Sequence, residues 1–272
     1  MTVGVLLVLL VLAYYYIRTR SFNKQLSLLN QELKASNDVK DKMFSIIGHD
    51  LRAPLATVRN FLYVLDSDEL DNEEKERIIK SLIENCDASL DILNQLLKWG
   101  QLQIKGVLLN QTIFDAGQVI EHNLSLFKNI AKEKDITITA HTYLRLILYA
   151  DPDHFDFIVR NLLSNAIKFT PDGGKIKIGS DGVQQDGYIR FYVEDTGIGM
   201  SPEHAKHIFD RNHVSMDGTR GEKGTSLGLL MCKEYTEANG GTINVKSIKG
   251  QGTTFTFTMK ACSDAEINDF AS

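Results

Sequence analysis

The sequence predicts an α+β protein of several domains: an N-terminal transmembrane helix, an antiparallel helical hairpin and an α/β sandwich. Three observations carry this prediction. Residues 2–17 contain no charged side chain. Residues 21–97 then repeat apolar side chains at helical spacing. After Gly106, short strand-like runs alternate with helical patterns in a stretch of typical domain size.

The uncharged run of residues 2–17 predicts a membrane anchor over residues 1–20. Arg18 and Arg20 follow it directly, and three tyrosines at 14–16 lie where an interfacial aromatic belt forms. A secretory signal peptide is the alternative, but no basic segment precedes the run and no small-residue cleavage site follows it. Because arginines mark the cytoplasmic side of a span, we expect a single-pass protein of the cell inner membrane whose remaining residues are cytoplasmic.

The next two segments are predicted to be helical. Leucines at 26, 29 and 33 have the spacing of a coiled coil, which we assign to a linker over residues 21–42. Residues 43–104 contain two one-sided helices around a polar loop, with Asp71 or Asn72 as the N-cap of the second. Each apolar face is too narrow to form a core alone. We therefore expect an antiparallel hairpin that dimerises into a four-helix bundle.

The composition excludes two classes of protein. The net charge of −5 offers no basic excess for the phosphate backbone, so we expect no nucleic-acid partner. The three cysteines, Cys86, Cys232 and Cys262, are scattered and form no CxxC or metal-ligand spacing. This is typical of a reducing compartment without a disulfide framework.

The stretch "FSIIGHDLRAPL" at residues 44–55 contains the first candidate catalytic residue. His49 lies about 200° around the helix from Ile47 and Leu51, so it is predicted to face solvent, away from the apolar side. Asp50 is an adjacent carboxylate that could hold one ring nitrogen as N–H and leave the other as a nucleophile. Pro54 cannot bond the Asp50 carbonyl, so the helix should bend beside His49. A solvent-exposed surface histidine without function is the alternative.

Three candidate binding segments lie in the predicted α/β domain over residues 107–261. Asn161, Asn165 and Lys168 share one face of a helix, where amide oxygens suit a hard cation and the lysine suits phosphate. Asp195 is the last residue of a predicted strand and lies on the same face as its buried side chains, where its carboxylate could accept a hydrogen bond from an exocyclic amine. The glycines that follow it in "DTGIG" would let the backbone approach a ligand. The loop "GTRGEKGTSLGL" at 218–229 opens a helix, which favours phosphate.

In this order, these motifs resemble those of the sensor histidine kinases of two-component systems. "FSIIGHDLRAPL" resembles the H box, "NLLSNAIKFT" the N box, "DTGIG" the G1 box, "IFD" the F box, "GTSLGL" the G2 box and "GQGTTF" the G3 region. The resemblance spans residues 39–260. It implies a HisKA-type dimerisation and phosphoacceptor hairpin at 43–104 and a Bergerat-type, or GHKL, ATP-binding α/β sandwich at 107–261. From the residues alone, we expect the tail at 262–272 to be disordered.

The resemblance also implies roles for individual residues. His49 is the phosphoacceptor, and Asp50 is its acid/base partner. The residues that bind ATP and its Mg²⁺ are Asn161, Asn165, Lys168, Phe169, Asp195, Gly197, Gly199, Gly224, Gly228, Leu229 and Thr254. Among these, Asn165 is the metal ligand, Phe169 packs on adenine, and Thr254 lies near the base pocket. The implied partners are a second copy of the chain, the membrane and the receiver domain of a separate response regulator.

One departure from the family pattern keeps a second interpretation open. Ser226 stands where the G2 box usually has glycine, and a serine is disfavoured if that position needs a positive φ. This departure suggests a catalytically degenerate dimeric scaffold as one alternative, and the other alternative is another ATPase of the GHKL type, which shares the nucleotide motifs. The second of these gives no reason for His49, Asp50 and Pro54 on a helical hairpin.

Overall fold

The computed structural model describes residues 2–49, 52–65, 71–105, 107–141, 146–184, 186–210, 216–220, 222 and 227–262. The chain divides into two compact units, Met1–His49 and Asp50–Ser272. The first unit is one helix, α1 (Thr2–His49), which includes the predicted anchor and the predicted linker. Its described apolar side chains, such as Leu10, Tyr14 and Leu29, are exposed. Within the described part of the chain, no helix combines the length and apolar character that crossing a membrane requires.

The second unit begins with the helical hairpin. Helices α2 (Arg52–Leu65) and α3 (Asn72–Lys105) pack against each other. The predicted N-cap is confirmed, because Asp71 Oδ1 accepts a hydrogen bond from the Glu74 amide at 2.8 Å. Glu74 Oε2 accepts one from the Asp71 amide at 3.2 Å in return, which completes a capping box. The bend predicted beside His49 falls at residues 50–51, which lie outside the described residues.

The apolar side chains of the hairpin are largely uncovered. Exposed members on the two helices are Leu55, Leu62, Ile79, Ile83, Leu90, Leu93 and Leu97. Side chains of this kind need an apolar partner, as the sequence pattern predicts for a bundle-forming hairpin. Near the end of α3 the pattern changes, because Leu96 and Trp99 are buried and α3 contacts α7 (Leu227–Ala238) of the following domain.

The described residues of the α/β domain form two sheets. Strands β1 (Thr112–Asp115) and β3 (Ile147–Ala150) form an antiparallel pair. The larger sheet has the order β2-β4-β5-β7-β6, with bounds β2 (Thr137–His141), β4 (Lys175–Val183), β5 (Tyr188–Asp195), β6 (Ile243–Ile248) and β7 (Gly252–Lys260). Only the β2–β4 pair is parallel in this sheet.

Helices α4 (Ala116–Glu133), α5 (Pro152–Phe169) and α7 cover one face of the larger sheet, and α6 (Pro202–His207) contacts β6. The core between the layers contains an aromatic cluster in which Phe155 lies 5.0 Å from Phe191 and 5.8 Å from Phe257 between ring centroids. Helix α5 begins where predicted, with Pro152 in its first turn and Asp151 as N-cap. The predicted α/β sandwich is therefore confirmed. The sequence interpretation missed β1 and α6.

Candidate functional site

Helix α5 presents the three polar side chains that the sequence placed on one face. Asn161, Asn165 and Lys168 are half-buried, whereas Ile158 and Leu162 on the opposite side are fully buried against the sheet. The Asn161 amide nitrogen donates to the Phe157 carbonyl at 2.9 Å, which leaves its oxygen directed elsewhere. The helix thus places the side-chain amides of Asn161 and Asn165 and the ammonium of Lys168 on its partly exposed face.

Asp195 is a buried carboxylate at the end of β5. Its Oδ1 accepts hydrogen bonds from the Gly197 amide at 2.8 Å and the Thr253 amide at 3.2 Å, and neither bond uses Oδ2. Burial raises its pKa from 3.8 to about 6, although those two hydrogen bonds lower it. The second oxygen is therefore available as an acceptor for a ligand amine.

Two glycines hold the backbone close around Asp195. Gly199 has φ +59, and a Cβ there would lie 2.0 Å from the Ile248 carbonyl oxygen. Gly252 has φ +110, and a Cβ there would lie 1.9 Å from the Asp195 carbonyl oxygen. The Ile198 amide donates to the Phe169 carbonyl at 3.1 Å. The loop after β5 is therefore hydrogen-bonded to the end of α5, so the segment that follows Asp195 contacts the helix that carries the polar face.

Thr254, which the family resemblance places near the base pocket, lies on the face of the sheet opposite to the Asp195 side chain. Thr254 pairs with Glu194 and shares the outer face of the sheet with it, because side chains of a strand alternate between faces. Thr253 pairs with Asp195, is buried, and places its hydroxyl 2.9 Å from the Ser247 hydroxyl. The sequence could have indicated that Thr253 is buried. Phe255, Phe257 and Met259 are the buried residues of β7, and Thr253 precedes them at the same two-residue spacing.

Lys168 lies at the junction of α5 with the loop that precedes α7. Its Nζ donates to the Met216 carbonyl at 3.1 Å and lies 4.7 Å from the centroid of the Phe169 ring. Burial lowers the pKa of Lys168, against the opposing effect of Glu222 and Asp217. The ammonium is thus partly desolvated, which strengthens its attraction for an anion.

At the other end of that loop, α7 begins against Asn161. A Cβ on Gly228 would lie 2.4 Å from Asn161 Oδ1, so a glycine is needed for this approach. Leu229 follows and is half-buried. Gly224 and Ser226 lie outside the described residues. The polar face of α5 therefore meets the loop before α7 at Lys168 and the first turn of α7 at Asn161.

The predicted catalytic pair belongs to the other part of the chain. His49 is the last residue of α1, and its side chain lies outside the described residues, as does Asp50. Sequence reasoning also missed Lys134, which lies in the charged run "AKEKD" and is nonetheless buried beneath the loop that precedes α7. No pattern in the sequence distinguishes it from a surface lysine.

Family models match both halves of the chain. The His Kinase A (phospho-acceptor) domain matches residues 39–103. The histidine kinase-, DNA gyrase B-, and HSP90-like ATPase matches residues 150–262. The order of the two domains is that of the motifs in the sequence. The chain belongs to the sensor histidine kinases. A curated relative of this histidine kinase, Sensor protein SrrB of Staphylococcus aureus, is 27% identical over 221 residues. The match covers 80% of this chain and 38% of SrrB.

Two solved structures share the fold of this histidine kinase. Full-length ShkA in complex with AMPPNP matches with a TM-score of 0.59 and 25% identity, over 81% of this chain and 46% of ShkA. Histidine kinase ThkA, solved in complex with response regulator protein TrrA, matches with a TM-score of 0.66 and 22% identity, over 86% of this chain and 66% of that chain. Because the chain contains an ATPase-type domain, this kinase has a nucleotide-binding site.

Proposed function

We propose that this protein transfers the γ-phosphoryl group of ATP to His49 and then to an aspartate of a separate response regulator. The observation that supports it best is the continuous site made by Asp195 and the polar face of α5, joined through the Ile198–Phe169 hydrogen bond. This site couples an acceptor for the adenine amine with groups suited to phosphate. The phosphoacceptor motif around His49 supplies a nucleophile on the same chain.

Each binding residue has a physical role in this proposal. Asp195 accepts a hydrogen bond from the adenine amine through Oδ2, and Gly197 and Gly199 allow the backbone to approach the base. Lys168 and Asn161 bind the phosphates, and Phe169 packs beside the base. Asn165 would ligate Mg²⁺, since an amide oxygen is a ligand that this hard cation accepts. When bound, the ion would neutralise charge on the transferring phosphate.

The phosphoryl step uses one imidazole nitrogen of His49. That nitrogen forms the N–P bond as the bond to the bridging oxygen of ADP breaks, so ADP is the leaving group. Asp50 holds the other ring nitrogen as N–H and stabilises the positive charge that develops on the ring. The phosphohistidine then donates the group to a carboxylate oxygen of the regulator, which regenerates the free imidazole.

The same proposal includes three partners. The exposed apolar faces of α2 and α3 support a homodimeric four-helix bundle. The complex of ThkA with its response regulator supports a receiver domain as the acceptor protein. A membrane anchor over residues 1–20, with the catalytic part cytoplasmic, is supported by the apolar run, by Arg18 and Arg20, and by the exposed tyrosines before them.

Labelling with γ-labelled ATP and Mg²⁺ tests the proposed activity. We expect acid-labile, alkali-stable label on the wild-type protein and none on His49→Gln, because glutamine offers no nucleophilic nitrogen. His141→Gln is the matched control, since His141 is exposed on β2, and it should label normally. ATP hydrolysis without labelling would favour another GHKL ATPase, and an unlabelled protein without turnover would favour a degenerate scaffold.

The raised pKa of Asp195 predicts a pH dependence of base binding. The carboxylate must be ionised to accept the adenine amine, and its pKa is about 6. The affinity for adenosine should therefore fall as the pH drops through that value, by about tenfold between pH ~8 and pH ~5. Adenosine is the probe because it carries no phosphate to titrate. An affinity that stays constant over this interval, measured by NMR titration, would contradict the proposed role.

A further inference from the structure

Lys134 is an almost fully buried cation with four acceptors around it. Its side chain is 4% exposed. The ammonium lies within hydrogen-bond distance of the Ile167 carbonyl (2.9 Å), the Lys168 carbonyl (3.3 Å), Thr219 Oγ1 (2.7 Å) and Glu222 Oε1 (3.0 Å). Desolvating a lysine is costly unless such partners are present. These four acceptors therefore offset the cost of burying the Lys134 charge.

Two of these acceptors come from the end of α5. Carbonyl groups of a last helical turn lack intrahelical partners and carry the negative end of the helix dipole. The Lys134 ammonium satisfies those of Ile167 and Lys168. The other two acceptors, Thr219 and Glu222, come from the loop that precedes α7. Lys134 thus joins that loop to the helix that holds the proposed phosphate ligands.

We call residues 216–220 and 222 the lid arm. One backbone hydrogen bond joins it to α5, from the Thr219 amide to the Lys168 carbonyl at 3.0 Å. A second lies within the lid arm, from the Gly218 amide to the Glu222 carbonyl at 2.8 Å. A Cβ on Gly218 would lie 2.6 Å from Lys168 Cγ. Burial alone would raise the pKa of Glu222, but hydrogen bonds from backbone amides and from Lys134 lower it overall. The lid arm therefore presents an ionised carboxylate to Lys134.

The lid arm holds Lys168 at two points. Its Thr219 binds the Lys168 carbonyl through both the amide and the hydroxyl, at 3.0 and 3.1 Å. Its Met216 carbonyl accepts from Lys168 Nζ at 3.1 Å. The direction of the Lys168 side chain thus depends on the position of the lid arm. The lid arm in turn is hydrogen-bonded to the buried Lys134 through Thr219 and Glu222.

We propose that Lys134 is a positioning residue that fixes the lid arm, and through it the Lys168 ammonium, for binding of the nucleotide phosphates. This inference rests on the proposed function of the α5 face as the phosphate site. Lys134 acts through its neighbours. Its loss should weaken the binding of a nucleotide with phosphates and spare the binding of the base, which depends on Asp195.

The test compares two ligands on the full chain. Lys134→Met keeps the length of the side chain and removes its charge. We expect it to weaken Mg-ATP about tenfold, as loss of a charged hydrogen-bond group does, and to leave adenosine affinity within about twofold. Lys177→Met is the matched control, because Lys177 pairs with Glu194 in an exposed ion pair, and it should leave both affinities unchanged.

A milder variant keeps the test valid if Lys134→Met does not fold. Thr219→Val removes the hydroxyl that accepts from Lys134 and donates to the Lys168 carbonyl, and it should weaken Mg-ATP about threefold. Hydrogen exchange provides a readout without nucleotide. In both variants the amides of Gly218 and Thr219 should exchange faster, while the Thr253 amide, bonded to Asp195, should not change.

Four results would overturn the inference. Unchanged Mg-ATP affinity in Lys134→Met would show that the lid arm does not depend on this lysine. Equal weakening of Mg-ATP and adenosine would show a general structural effect. Unchanged exchange at Gly218 and Thr219 would show that the lid arm is held by other contacts. Wild-type protein that binds neither ligand would overturn the proposed function and this inference together.

Discussion

Asp195→Asn should lose nucleotide binding and yet give a ligand-free protein of higher thermal stability. The amide can keep Oδ1 as the acceptor for the Gly197 and Thr253 amides. In place of Oδ2 the asparagine has an NH₂ group. Because this group and the adenine amine are both hydrogen-bond donors, no hydrogen bond can form between them. We expect a loss of about 100-fold in affinity for Mg-ATP, the effect of losing a charged hydrogen bond and leaving a donor unpaired.

The gain in stability follows from the raised pKa. The folded protein holds the Asp195 proton more tightly than the unfolded chain, so this group stabilises the fold at acid pH and the contribution is lost as the pH rises through about 6. At neutral pH the wild-type protein therefore keeps a desolvated charge that asparagine does not have. The melting temperature without ligand should rise by about 2–4 °C for each kcal/mol recovered.

Glu194→Gln is the matched control for this prediction. Glu194 is the neighbouring carboxylate, but it lies on the outer face of the sheet and pairs with Lys177 at 3.5 Å. The change should alter neither Mg-ATP affinity nor melting temperature beyond the small effect of an exposed ion pair. Calorimetric titration and thermal unfolding measure both quantities. If Asp195→Asn bound Mg-ATP as tightly as the wild type, Asp195 could not be the base acceptor.

Gly252→Ala should unfold the domain or destabilise it severely. Its φ of +110 is strained for any residue with a Cβ, and that Cβ would lie 1.9 Å from the Asp195 carbonyl oxygen and 2.9 Å from its carbon. Both atoms belong to backbone, so β5 and β7 would have to separate. We expect a loss of at least about 3 kcal/mol in the free energy of unfolding, since strain and a backbone clash add.

Gly250→Ala separates the two causes. Gly250 also has a positive φ, +79, but no atom lies within 4 Å of the position of its Cβ. Only the conformational cost remains, about 1 kcal/mol. Denaturant unfolding of both variants measures the difference. Equal losses would mean that the close approach of Gly252 to Asp195 is not what fixes this turn.

The sequence predicted features that depend on periodicity or on local hydrogen bonds. Buried Asp195 followed from the alternation of Ile189, Phe191 and Val193, because a strand turns its side chains with a period of two. The N-cap at Asp71 followed from the short-range capping pattern. These features are set by the backbone within a few residues, and tertiary packing did not alter them.

Features that depend on pairing between distant segments were predicted less well. The cross-strand neighbour of Asp195 is set by the register of β5 against β7, which pairs Asp195 with Thr253 and turns Thr254 to the opposite face. Lys134 is buried only because α5 and the lid arm converge on it from positions 33 and 85 residues away. A charged run on the end of a helix contains no sign of that convergence.

The small β1–β3 sheet has a mechanical consequence. Strand β1 is the first strand of the ATP-binding domain, and it pairs with β3. The last described residues return to the same strand, since Ala261 bridges Leu148 and the Cys262 amide donates to the Ile147 carbonyl at 3.0 Å. The first strand of the domain and its last described residues are thus both hydrogen-bonded to the four-residue strand β3. Loss of the pairing of β3 would therefore release the first strand and the last described residues of the domain together.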